Sequence, residues 1–102
     1  MENLMADETP DSKEPLSVYA VLGTFVDQMS SIAWQKLGLQ HDFITGQLEP
    51  DVEQARVAID VVAKLVEALD AELDDQDRRQ LQNLVRDLRL NFVSKQKEIG
   101  SD

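Results

Sequence analysis

The 102-residue sequence has no cysteine, a single histidine and tryptophan, three prolines and four glycines, and only 10 basic residues against 20 acidic ones. Without cysteine there is no disulfide framework, thiolate-bound metal or thiol nucleophile. A net charge of −10 and a pI near 4.4 argue against a surface built as a whole to hold phosphate backbones or anionic lipid. The lone His41 would need convergent partners to act as a base or metal ligand, and the nearby acids Asp42, Glu49 and Asp51 fall in one inter-helix connection, so it reads as a solvated side chain. No glycine-rich phosphate loop, GxSxG or HExxH pattern occurs. The acids Asp70, Glu72, Asp74, Asp75 and Asp77 lack the spacing, central glycine and closing glutamate of a calcium loop, and capping of a helix start accounts for them. A non-enzymatic chain with no catalytic, metal-binding or cofactor-binding residues is therefore expected.

What is present is helical periodicity. Residues 1–15 carry five acids, two prolines and few apolar side chains, which reads as a disordered acidic leader; it has neither the basic start nor the apolar run of a signal peptide. Residues 16–99 then form one helical domain, with 100–102 as a short tail. A first helix is expected over 17–37, capped by Ser17 and stopped by Gly38. A second runs over 52–73, where Asp51 and Gln54 approximate a capping box. A third runs over 76–99 behind Asp74 or Asp75, with Lys95 and Lys97 near its end and Gly100 as its stop. No segment alternates with period two, so the fold class is all-α: a three-helix bundle in which helices two and three make an antiparallel hairpin. The longer connection, 38–51, should fold back on the body through Phe43, Ile44 and Leu48 around a Thr45-Gly46 turn.

The helical wheels place the third helix on the outside, because its apolar residues occupy a stripe only about 100° wide. On the first helix the apolar residues extend round an arc of about 220°. The second has a main face and a thinner stripe at Val57, Val61 and Ala68. One three-helix subunit has too little surface to cover all of this. Insertion in a membrane is disfavoured by Asp27, since a mid-span acid costs about 2.5–3.5 kcal/mol. Self-association through helix one and part of helix two is the expectation, as a homodimer or a higher oligomer, with Tyr19, Leu22, Phe25, Val26, Met29, Ala33, Trp34, Val57 and Val61 in the seam. The alternative is that the 43–48 segment covers the second face within one subunit. Trp34 reads as an interface anchor ahead of a ligand platform.

Charge is unevenly spread. Residues 1–77 hold 4 basic and 17 acidic side chains, net −13, whereas residues 78–97 hold six basic ones against Asp87, net +5. Arg78, Arg79, Arg86 and Arg89 could present a face to an anionic partner, nucleic acid included. The favoured reading is that they answer the acids of helix two and the leader, because the only aromatic of this helix, Phe92, lies on its buried stripe.

The order Ala33-x-x-x-Leu37-Gly38, a Thr45-Gly46 loop, Val52-Glu53-x-Ala55-x-x-x-Ile59-Asp60-x-x-x-x-Leu65 and Leu84-x-x-x-Leu88-Arg89-Leu90-x-Phe92-Val93 resembles the bacterial family catalogued as domain of unknown function 1844, over about residues 19–94. The sequence departs from many relatives at Asp70-Ala71-Glu72-Leu73, where a Lys-Thr-x-Gly-Asn-Leu-like stretch is common. The resemblance implies a small helical domain and supplies no catalytic residue. Together these readings lead to a cytoplasmic, self-associating interaction or adaptor module with itself and an unidentified protein as partners, or alternatively a nucleic-acid-associated protein using the basic face of helix three.

Overall fold

The structure, a computed structural model, describes residues 14–100. Among these are three α-helices and no strand: α1 (Val18–Lys36), α2 (Val52–Leu69) and α3 (Asp75–Gly100), with a single 3-10 turn, Asp70–Glu72, between the last two. Residues 1–13 of the expected leader and 101–102 of the tail lie outside the described residues.

Each helix starts on a side-chain cap. The Ser17 hydroxyl accepts from the Ala20 N–H at 3.3 Å, Asp51 Oδ1 from Gln54 N–H at 3.0 Å and Asp74 Oδ1 from Asp77 N–H at 2.8 Å. Each satisfies a backbone donor that the first helical turn leaves unpaired. α1 ends in a Schellman motif, with Gly38 N–H on the Gln35 carbonyl (2.9 Å) and Leu39 N–H on the Trp34 carbonyl (3.0 Å). Gly38 sits at φ +80°, the left-handed region this motif requires.

α2 is the central helix. Ala55, Ala58, Ile59, Val62, Val66 and Leu69 bury its main face against Val26, Ala33 and Leu37 from α1 and its C-terminal cap, and against Leu88 of α3. The α1–α2 contact is the most extensive in the molecule, α3 packs on α2, and α1 barely meets α3. Burial of each Val, Leu or Ile side chain among these contributes about 1.5–3 kcal/mol, and the fold rests chiefly on the α1–α2 pair. Asp51 N–H donates to the Lys36 carbonyl at 2.7 Å, which returns the chain to the end of α1 and sets α2 antiparallel to it.

Two helix ends differ from the sequence reading. α2 stops at Leu69, four residues before the expected end, because the chain tightens into the 3-10 turn and then extends at Leu73 (ψ 144°) to reach the cap Asp74. α3 begins at Asp75, one residue earlier than expected, and Gly100, expected as its stop, is itself helical.

Candidate functional site

On α1 the residues Val26, Ser30, Ala33 and Leu37 form the inward stripe. In steps of about 100°, Val18, Phe25 and Ile32 lie about 90–130° to one side of that stripe. All three are exposed, Phe25 at 48%. Their seven-residue spacing is that of one seam position in successive heptads. On the opposite flank of the stripe, Gly23 and Asp27 line a groove with Gln80 and Leu81 of α3. The Val18–Phe25–Ile32 row therefore points away from α3.

The same construction applies to α2. Ala63, Val66 and Glu67 line clefts with Gln82, Val85 and Arg89 of α3, which fixes the α3 side of this helix. Val57, 54% exposed, and the exposed Val61 lie about 120–160° round from Ala63. Val61 too points away from α3, and Val57, about 20° from the Lys64 that borders Arg89, faces solvent at the rim of that side. The α1–α2 pair thus has one face toward α3 and an opposite face bearing Val18, Phe25, Ile32 and Val61 to solvent, with Val57 at its edge and Leu22, Met29 and Leu65 half-buried at the core edge.

The nine residues expected in a seam are divided by this geometry. Phe25, Val57 and Val61 share the outer face. Leu22 and Met29 flank it and also pack against the core, as Trp34 does. Tyr19 is exposed but lines the groove on the α3 side. Val26 and Ala33 are corrected: both are buried in their own subunit, because the inward stripe of α1 is centred on them. Val18 and Ile32 were missing from the expected set, although their spacing from Phe25 was visible in the sequence.

The loop after α1 also departs from expectation. It is ordered from within: Asp42 Oδ1 accepts from Ile44 N–H (2.7 Å) and Thr45 N–H (3.0 Å), Gly46 N–H donates to the Asp42 carbonyl (2.9 Å), and the Gln35 amide oxygen accepts from Phe43 N–H (3.2 Å). The Thr45 and Ile44 N–H groups stabilise the ionised Asp42 carboxylate and hold its pKa below the ordinary range. Phe43, Ile44 and Leu48 nevertheless face solvent, Ile44 at 92% exposure. The loop does not cover the second face of α1, and its apolar side chains do not fold onto the body.

The four arginines of the basic face have different surroundings. Arg78 is held at the α2–α3 joint by Asp70 (3.1 Å) and Asp75 (2.9 Å). Among the described residues Arg86 forms an ion pair only with its neighbour Asp87, at 3.9 Å, and Arg79 and Arg89 form none. Pairing at the joint after α2 therefore accounts for one of the four, and most of the leader lies outside the described residues. His41 is exposed, and the described residues contain no group of three or more histidine, aspartate or glutamate side chains placed to hold a metal ion. No helix of the described residues is long and apolar enough to cross a membrane.

A family model described as Domain of unknown function (DUF1844) matches residues 20–94, and the chain belongs to that family. Among curated proteins and solved structures, none matches the chain.

Proposed function

We propose that this is a non-enzymatic interaction module that self-associates through the outer face of its α1–α2 pair, two copies meeting about a two-fold axis. The observation that carries the reading is the apolar row Val18, Phe25 and Ile32 beside Val57 and Val61, exposed on a face that neither α3 nor the 39–51 loop covers. A two-fold axis sets the same row of each copy against its partner's, so a self-complementary apolar strip is buried twice. Heptad spacing suits the packing of one α1 against the other. The experiment is the native mass at micromolar concentration in about 0.5 M salt: two chains of 11.5 kDa are expected, and Phe25→Asp should return a folded single chain.

An adaptor role, with a further protein as partner, is supported by the ordered display of Phe43 and Ile44 at the loop tip. The acidic, cysteine-free composition supports a cytoplasmic setting as part of this reading. Nucleic acid on the basic face of α3 is the second reading, supported by the exposed Arg79, Arg86 and Arg89. The apolar Leu90 and Val93 beside them favour a protein surface instead. Absence of binding at low salt, where phosphate contacts are strongest, would dispose of it.

A further inference from the structure

α3 is long for the body it packs on: its 26 residues span about 39 Å, against about 27 Å for the 18 residues of α2. Its inward stripe runs through Leu81, Leu84, Leu88 and Phe92. On the opposite side, Arg86, Leu90, Val93 and Lys97 follow one another at spacings of four, three and four, within an arc of about 60°. Leu90 is 61% exposed and Val93 is also exposed. Arg79, seven residues before Arg86, continues the row, and no ion pair among the described residues holds Arg79 or Lys97. This is an apolar pair flanked on both sides by cations, presented to solvent.

A complementary surface lies elsewhere on the molecule. Between the first half of α1, the end of α2 and the start of α3 is a groove of about 560 Å³. Leu69, Leu73 and Leu81 contribute its apolar lining and Asp27, Glu72 and Asp77 its charges, and among the described residues no basic one lines it. The row cannot reach the groove of its own chain, since the groove uses the inward side and first turns of α3 while the row uses the outward side further along.

We infer that the Arg86–Leu90–Val93–Lys97 row of one copy docks in the Asp27–Glu72–Asp77 groove of a second copy. Leu90 and Val93 meet the leucines, and the flanking cations meet the carboxylates. Because the two surfaces differ, the contact is head-to-tail and links copies into rings or open chains. It does not depend on the α1–α2 seam and differs from it in salt response: exposed charge pairs are screened, whereas apolar burial is not. A chain of net charge −10 would otherwise repel its copies, and this is the arrangement that sets its basic segment against its acidic one.

The test is sedimentation of the full chain at about 20 mM and about 0.5 M salt, compared with two charge-reversed variants at exposed positions. In the wild type, mass should rise at low salt above the value at high salt. Arg86→Glu/Lys97→Glu and Asp27→Lys/Glu72→Lys should each lose that rise, with association weakened at least about tenfold and helicity unchanged. Mixing the two variants should restore it, because the basic groove of one then faces the acidic row of the other. A wild-type mass independent of salt, folded variants that still assemble, or a mixture that stays dissociated would overturn the inference. Salt-dependent assembly that persists in Phe25→Asp supports it even where the α1–α2 seam is disproved.

Discussion

The guanidinium of Arg78 spans the joint between α2 and α3 to reach Asp70: Nε donates to Asp70 Oδ1 at 3.1 Å, and Nη2 donates to the Asp70 carbonyl at 2.9 Å and the Leu73 carbonyl at 3.0 Å. These two backbone acceptors belong to the tight turn that ends α2, so one side chain from the first turn of α3 fixes the hairpin angle. Arg78→Ala is expected to destabilise the fold by about 1–2 kcal/mol, a charge-assisted network discounted for partial exposure. Arg78→Lys should recover only part of this, since a single ammonium cannot reproduce the planar fork. Urea unfolding of the three proteins under identical conditions measures both effects.

Gly38 is the backbone hinge on which the loop turns away from α1. At φ +80° a side chain is strained, and a Cβ there would lie 3.1 Å from Pro50 Cβ. Gly38→Ala is expected to cost about 1–2 kcal/mol, the left-handed penalty plus displacement of Pro50. Gly46, also at positive φ but with open space around it, should give a smaller loss on the same substitution. Thermal unfolding of the pair separates strain alone from strain plus contact.

Ser30 is buried on the inward stripe of α1, and among the described residues its hydroxyl has no hydrogen-bond partner. An unpaired buried hydroxyl costs about 1–3 kcal/mol relative to water, and alanine removes it while leaving almost the same shape. Ser30→Ala is therefore expected to raise the unfolding midpoint. A fall would mean that the hydroxyl has a compensating partner.

Much of the architecture was legible because it depends on local rules. Ser17, Asp51 and Asp74 are capping residues at the heads of apolar periodic runs, and Gly38 follows the last periodic residue of α1; each does what its type and position imply. The end of α2 was not legible, because Asp70–Glu72 continues the helical pattern and only the reach of Arg78 from α3 favours the tighter turn. Nor could a wide apolar arc on α1 indicate which half its own subunit would use. The half centred on Val26 and Ala33 faces α2, and the Phe25 half is left outside. Phe43, Ile44 and Leu48 show the same gap: their hydrophobicity was read correctly, but their direction is set by the hydrogen bonds of Asp42 and Gln35.

That loop should respond to acid. The folded state depresses the Asp42 pKa, so its contribution is fully present above the unfolded value of about 4 and is lost as pH falls through the lower folded value. The Ile44 and Thr45 amide resonances are expected to shift together, at a lower pH than that at which ordinary aspartates titrate. Asp42→Asn, which keeps an acceptor oxygen but cannot titrate, should hold the turn and remove this shift.

Native mass reports whether a second copy covers the face that neither α3 nor the loop covers. At micromolar concentration in about 0.5 M salt, where charge pairing is screened, the wild type is expected to sediment as two chains of 11.5 kDa each. Phe25→Asp and Val61→Asp, both on the outer face, should sediment as one, with helicity retained because neither side chain is in the core. A folded wild type at single-chain mass, or a folded Phe25→Asp at wild-type mass, would contradict the assignment of that face to a second copy.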